Sequence, residues 1–297
     1  KSLELRRIHD PARVPPSLNN LGEIFRITGD YEKAMSYYQE SIRLYSQAHD
    51  AWGEAASQSN LGLVYAELGD LEKSIGSFER SIRKFAEVGH FDVECGIDYA
   101  RVLVRVKKTA EAGKILSEIQ KEIHSNRSNL NLCKFFLVSG RTEIMKRNLG
   151  MANYFLDQAK IMAEFGEFTL LRIEANLLLA ETALILSRID EDGKWAGQAS
   201  GFLGEAESLA TEVRNFPLIL ELRLFSALLL EAKGNHQEAM SSLRIMLQSN
   251  AVDKYLTIKE RIVTTLKMLE NKTGDEATVN ILVYLERIGQ LIDSLKH

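Results

Sequence analysis

Residues 19–34 read NNLGEIFRITGDYEKA, and residues 59–74 read SNLGLVYAELGDLEKS. The two copies lie forty positions apart and keep Asn-Leu-Gly, an aromatic residue, Gly-Asp and Glu-Lys in register. That marks a duplicated unit, so the repeat has to be traced before anything else is read. Apolar residues around both copies recur at helical spacing, broken only by short turns. Gly29 and Gly69 stand where a helix C-terminus needs a left-handed residue, and Asp30 and Asp70 follow as N-caps of the next helix. The unit is a helical hairpin, made twice.

Similar breaks follow at Asn148–Gly150, Asp190–Gly193, Lys233–Asn235 and Thr273–Asp275. Between them runs a template of small and aromatic positions. Copy one supplies Gly22, Phe25, Gly29, Ala34, Tyr38 and Ser41; copy two supplies Gly62, Tyr65, Gly69, Ser74, Phe78 and Ser81. The pattern resembles the tetratricopeptide repeat, in which small residues let paired helices approach and aromatics fill the space between them. Sliding the template along gives a third copy with Ala100, Leu103, Ala112, Leu116 and Ile119, and a fourth with Gly140, Ala152, Leu156 and Ala159. Both lack the turn glycine. A fifth uses Ala180, Ala183, Ala199, Leu203 and Ala206, with an enlarged turn, and a sixth uses Ala227, Leu230, Gly234, Ala239, Leu243 and Met246.

The expected boundaries are 16–49, 50–90, 91–126, 128–166, 167–214 and 216–250, followed by a divergent C-terminal pair over 253–297. At the other end KSLELRRIHD aligns with ESIRLYSQAHD, so residues 1–8 read as the tail of a preceding repeat and the chain as part of a longer polypeptide. A period of forty exceeds the usual ~34, and extra residues around IRLYSQAHDAWGEAA account for it by lengthening the second helix and the entry to the next. This spacing resembles the longer-period repeats of kinesin light chains and of maltose-regulator-type signalling ATPases. The resemblance implies an all-α fold: a single right-handed solenoid over 1–297, built from six or seven antiparallel helix pairs.

Composition bounds the function. Charged residues make up 26% of the chain with both signs interleaved, and the net charge is −4. Such a surface lacks the basic footprint that phosphate-backbone neutralisation requires, so nucleic acid is excluded as the expected partner. The most apolar stretch, LLLAETALIL at 177–186, is too short for a membrane span and contains Glu181. Cys95 and Cys133 form neither a metal motif nor a disulfide framework; a reducing, cytoplasmic compartment and two buried thiols are expected.

Catalytic signatures are missing from the sequence. Gly113-Lys114 and Gly193-Lys194 lack the glycine-rich loop and hydroxyl residue of a phosphate-binding loop, and neither G-x-G-x-x-G nor H-E-x-x-H occurs. His9, His49, His90 and His124 recur once per repeat at helix ends. Stacked roughly 10 Å apart, they could not converge on one zinc ion, so they read as helix-end residues. Asp190-Glu191-Asp192-Gly193 lacks the alternating ligands of a calcium loop. Asn126 and Asn271 begin glycosylation acceptors that matter only for an exported chain. No catalytic residue, metal or cofactor is expected.

Binding remains. In the family, the first helices of successive repeats line a groove that takes a peptide or partner helix. The groove positions fall on Asn20 and Asn60, whose amides could hold an extended backbone, with Glu23 beside Arg26 in copy one. Arg101, Arg105, Lys134 and Arg141 follow in copies three and four, and a cluster of cations in a cleft would draw an acidic or carboxylate-ended ligand. The expected function is a non-enzymatic scaffold binding a protein or peptide. The alternatives are a regulatory arm of a signalling ATPase or kinase, and a self-association module. Leu177, Leu178, Leu184, Phe225 and Leu228 fall on the same stripe in copies five and six, where they read as core or as an apolar docking surface.

Overall fold

A computed structural model of the chain describes residues 11–123, 128–187, 194–249 and 252–270. Thirteen α-helices and two 3-10 turns make up most of these residues, and no strand occurs among them. The chain divides into two compact units, Lys1–Lys146 and Arg147–His297. The first contains α1 (Val14–Ile27), α2 (Tyr31–Gln47), α3 (Ala51–Glu67), α4 (Leu71–Glu87), α5 (Val93–Arg105), α6 (Thr109–Glu122) and α7 (Asn129–Met145). The second contains α8 (Leu149–Phe165), α9 (Thr169–Ser187), α10 (Lys194–Glu212), α11 (Phe216–Ala232), α12 (His236–Gln248) and α13 (Leu256–Glu270). Within each unit consecutive helices pack on one another, α1 with α2 and α3 with α4 in the first, α9 with α10 and α11 with α12 in the second. The all-α architecture of stacked helix pairs is the one the repeat implied. The proposed tail at 1–8, the acidic turn at 190–193, His9, His124, Asn126, Asn271 and the Thr273–Asp275 turn lie outside the described residues.

The turns are built as the sequence requires, with one extension. Gly29 and Gly69 both have φ of 79°, and the amides of Asp30 and Asp70 donate back to the carbonyls of Phe25 and Tyr65 at 2.9 Å. Each aspartate then caps the next helix, accepting from Lys33 N and Lys73 N at 3.3 Å. Where copies three and four lack glycine, Lys107 and Arg147 adopt φ of 63° and 62°. His49, Glu167 and Arg214 do the same. The same carbonyl-closing bond forms at non-glycine turns, for example Lys108 N to Leu103 O at 2.9 Å and Phe168 N to Ala163 O at 2.8 Å. Stacking on both sides holds the left-handed residue in place at a local cost.

Small residues act as spacers. A Cβ on Gly22 would sit 2.7 Å from the Tyr38 ring, and one on Gly62 would sit 3.1 Å from the Phe78 ring. The two rings are fully buried, so the glycines are what allow α1 to close on α2 and α3 on α4. Serines at neighbouring positions tie the two helices of each hairpin together: Ser41 Oγ donates to Pro15 O at 2.9 Å and Ser81 Oγ to Ala55 O at 2.8 Å. Cys95 and Cys133 are buried free thiols, and burial pushes the Cys95 thiol up to about 12.

The second unit closes its first helices into the core. Leu177, Leu178, Leu184, Phe225 and Leu228 are all buried, and Leu177, Leu184 and Phe225 pack with Leu203, Leu209 and Leu218 among others. They are core residues and form no open apolar surface.

Candidate ligand groove on the first unit

Helices α1, α3, α5 and α7 are the first helices of their pairs, and each touches the next: α1 with α3, α3 with α5, α5 with α7. Their shared face is polar and cross-linked from helix to helix. Asn60 Nδ2 donates to Asn19 Oδ1 at 3.1 Å across α3 and α1. Arg26 on α1 bridges Glu23, through Nη2 to Oε1 at 2.6 Å, and Glu67 on α3, through Nη1 to Oε1 at 2.5 Å. Tyr38 OH donates to Glu23 Oε2 at 2.9 Å. Arg105 Nη1 on α5 donates to Ala66 O at 3.1 Å, in the last turn of α3, where a cation meets the negative helix end. Lys134 on α7 reaches Glu94 on α5 at 3.3 Å.

Burial shapes the electrostatics of this face. Arg26 is only 5% exposed. Desolvation pulls its pKa down, but the hydrogen bond to Glu23 and the charge of Glu67 outweigh it and leave the guanidinium firmly charged. Desolvation raises the Glu67 carboxyl above its ordinary value, the Arg26 charge opposes the rise, and the neighbouring charges of Glu23 and Asp98 add to it. Tyr38 is held well above the normal phenol range by burial and by the Glu23 carboxylate.

The residues singled out in the sequence are distributed as follows. Asn20 is exposed on α1, and Asn60 is half-buried with its amide engaged by Asn19. Glu23 sits in the Arg26 cluster. Arg101 pairs with Asp98 on its own helix at 3.3 Å. Lys134 is paired with Glu94 and Arg105 is spent on a carbonyl, while Arg141 is half-buried with no ion-pair partner among the described residues. The charge of Arg101 and Lys134 is thus answered by Asp98 and Glu94, and that of Arg26 by Glu23 and Glu67. Of these partners Asp98, Glu94 and Glu67 escaped the sequence reading, as did Asn19. A signal was present: the bonded pairs Asn19–Asn60 and Arg26–Glu67 are 41 residues apart and Glu94–Lys134 are 40 apart, each about one repeat.

His49 takes the left-handed position after α2, and His90 stands edge-on to Phe85 at 5.4 Å between centroids. Among the described residues no group of three or more His, Cys, Asp or Glu side chains converges on a metal-sized site. No helix among them is long and apolar enough to cross a membrane.

Comparison with known proteins places this architecture. Residues 13–87 match the family model for the tetratricopeptide repeat. No curated protein matches the sequence. Among solved structures, the chain resembles a signal transduction ATPase with numerous domains from Pyrococcus horikoshii that carries a tetratricopeptide repeat sensor. That match has 16% identity and a TM-score of 0.63, covering 95% of this chain and 42% of that one. Kinesin light chain TPR-like repeats from Podosopora anserina align with 14% identity and a TM-score of 0.51, over 69% of this chain and 97% of that one. The Rap conjugation gene regulator of plasmid pLS20, solved with the Phr* peptide, aligns with 14% identity and a TM-score of 0.55, over 98% of this chain and 78% of that one. These identities speak for the fold alone. Residues 13–87 are tetratricopeptide repeats, and the described chain as a whole has the fold of tetratricopeptide repeat proteins.

Proposed function

We propose that the first-helix face of the first unit is a groove that captures an extended peptide or partner helix bearing a carboxylate, and that the chain serves as a non-enzymatic scaffold. The observation that carries this reading is the continuity of the polar face from α1 to α7, linked helix to helix by Asn19–Asn60 and Arg26–Glu67, by Arg105–Ala66 and by Lys134–Glu94. The Arg26–Glu67 and Arg105–Ala66 links keep the frame fixed when a ligand arrives, so little entropy is spent on the frame. Asn20 offers its amide to a ligand backbone, and Asn60 becomes available on exchanging its bond to Asn19. Arg141 supplies uncommitted positive charge. Lys134 and Arg101 join it as a carboxylate displaces Glu94, which is 59% exposed, or competes with Asp98. Arg105 and Glu23 hold the frame, one on the α3 terminus and one on Arg26. The test is fluorescence anisotropy with labelled ten-residue peptides of acidic and of basic composition, on the native chain and an Arg141→Glu variant. Selective binding of acidic peptides, weakened by rising salt and by the substitution, is expected. Equal binding of both sets, or indifference to Arg141→Glu, overturns the proposal.

A second reading is favoured by one finding. The Pyrococcus horikoshii ATPase uses a tetratricopeptide sensor, and this chain spans less than half of that protein. As the regulatory arm of a larger signalling protein, the same groove would take an effector or a segment of its own catalytic part. A nucleotide-binding module contiguous with this sequence would support that role.

A further inference from the structure

The first helices of the first unit share a second face, turned towards the hairpin that precedes each of them. On α3 this face is the stripe Ser57, Leu61 and Val64, spaced at four and three residues and buried, with the half-buried Asn60 beside it. The preceding hairpin closes it. Ser57 Oγ meets Ser41 Oγ of α2 at 3.0 Å, Leu61 and Val64 share a cluster with Ala34 and Tyr38 of α2, and Asn60 bonds Asn19 of α1. On α5 the same stripe is Cys95, Tyr99 and Val102, again buried. Cys95 Sγ lies 3.4 Å from Ser81 Oγ of α4, and the Tyr99 ring stacks on Phe78 of α4 at 5.9 Å between centroids. On α7 it is Phe135, Ser139 and Thr142, all buried, and α7 packs on both α5 and α6.

On α1 the stripe is not closed. Its members Ser17, Leu21 and Ile24 stand forty positions before Ser57, Leu61 and Val64. Ile24 is 55% exposed where Val64 is fully buried, and Leu21 is half-buried where Leu61 is buried. Asn20 is exposed where Asn60 is half-buried, and Ile27 continues the stripe at 50% exposure. The helix is not short of a core, since Val14, Leu18 and Gly22 are buried and Gly22 closes on the Tyr38 ring of α2. What lies open on α1 is the set of positions that a preceding hairpin covers on α3, α5 and α7.

We propose that one further helix pair of the same repeat kind, carried by the same polypeptide ahead of Lys1, stacks on this stripe of α1. Continuity with the interfaces already formed names the occupant: α1 offers it the stripe that α3 offers to α1 and α2. The alignment of KSLELRRIHD with ESIRLYSQAHD reads as the tail of such a pair. At the spacing that Ala34 and Tyr38 keep from Leu61 and Val64, the residues facing Leu21 and Ile24 fall ahead of Lys1. The second helix of the pair brings a small residue and an aromatic ring onto Leu21 and Ile24, as α2 does for α3. Its first helix brings Asn20 the acceptor that Asn19 gives Asn60.

One sequence difference makes the occupant specific. Glu67, forty positions after Ile27, is bound by Arg26 of the preceding first helix. An arginine in that place ahead of α1 would meet Ile27 instead of an acid, so the preceding first helix carries an apolar residue there. The polar face of the first unit then continues upstream by one helix. Asn20 is engaged as Asn60 is, and reaches a groove ligand by the same exchange.

Thiol labelling tests the proposal on two forms of the protein: residues 1–297, and the same chain with the residues that precede Lys1 in its polypeptide included over about one repeat. Ile24→Cys places a thiol on the open stripe, and Phe165→Cys, at a position 75% exposed in the second unit, serves as the reference. Cys95 and Cys133 are buried and stay silent. Maleimide should label the two introduced thiols at similar rates in the shorter form. In the longer form Ile24→Cys should slow at least a hundredfold while Phe165→Cys does not change. Ile24→Asp should leave the melting temperature of the shorter form as it is and lower that of the longer one, because only there is the charge buried. Upstream residues that lack the repeat's spacing of small and aromatic positions overturn the proposal, as does equal labelling of Ile24→Cys in the two forms. Protection that develops in the shorter form as its concentration rises assigns the stripe to a second copy and overturns it too.

Discussion

The first helices of the two units solve the same packing problem in opposite ways. In the first unit α1, α3, α5 and α7 keep one face wet and stitch it together with Arg26, Glu67, Asn60, Asn19 and Lys134. In the second unit α9 and α11 are buried on nearly every side. On α11 Leu218, Ile219, Leu220, Leu222, Leu224 and Phe225 are all buried, together with Glu221. A repeat fold thus keeps a wet polar face only where its first helices stay partly polar. Where they turn apolar, the same scaffold gains core at the expense of that face.

The comparison is broken most forcefully from the apolar side. Phe225 is 0% exposed and sits among Leu218, Leu222 and Leu229. Phe225→Ala removes most of a buried ring and should cost about 3–5 kcal/mol, read as a lowered urea midpoint by circular dichroism. Amide hydrogen exchange should show the loss concentrated in the second unit, because repeat stacks couple chiefly to their neighbours.

The polar side has its own weak point. Arg26→Met leaves Glu67, 17% exposed, facing the core without its cation, and should cost about 3 kcal/mol at neutral pH. The pH dependence distinguishes this from lost packing. Burial raises the Glu67 carboxyl above 4.5, and Arg26 opposes the rise. A raised carboxyl contributes stability that is complete below its unfolded value and lost as pH climbs through the folded one. Without Arg26 the folded value moves further up, so the variant's deficit should be small at pH 4 and widen towards pH 7. A deficit that does not change with pH would place the whole effect in packing.

This asymmetry was only partly legible in the sequence. The hairpins of copies one and two could be read because Gly29, Asp30, Gly69 and Asp70 are strong local signals, each decided by the backbone alone. The polar face could be read as a set of positions but not as a set of pairings. Arg101 and Lys134 read as free cations, whereas each finds an acid: Asp98 three residues away on the same helix, Glu94 one repeat away on the next. The first follows from i,i+3 spacing alone, whereas the second depends on how far adjacent first helices slide past one another, a quantity that local propensity does not encode. Likewise Leu177 and Phe225 are apolar on any reading, and only the stacking decides that they are enclosed.

Spacing between paired helices gives a smaller and sharper test. Gly22 and Gly62 occupy equivalent positions, but an added Cβ meets the Tyr38 ring at 2.7 Å in one and the Phe78 ring at 3.1 Å in the other. Gly22→Ala should therefore destabilise by about 2–3 kcal/mol and Gly62→Ala by about 1 kcal/mol or less, since overpacking cost rises with the displacement forced on the neighbour. Part of the Gly22 penalty would come from Tyr38 moving off Glu23, to which it donates at 2.9 Å. Thermal melts of the two single variants rank them; equal shifts would show that the rings yield equally.

The smallest effect has the opposite sign. Lys107 holds φ of 63° in the turn between α5 and α6, where copies one and two place glycine. Lys108 N still closes on Leu103 O at 2.9 Å, so the hydrogen bonding is complete and the residual cost is the Cβ strain of a left-handed lysine. Lys107→Gly relieves that strain and also frees the unfolded chain, two contributions that partly cancel and leave a net gain of about 0.5 kcal/mol. Gly69→Ala, the reverse change at φ of 79°, should lose about 1 kcal/mol. Measuring both in one background separates turn strain from stacking: if Lys107→Gly destabilises, the lysine side chain contributes more to the α5–α6 junction than its backbone geometry costs.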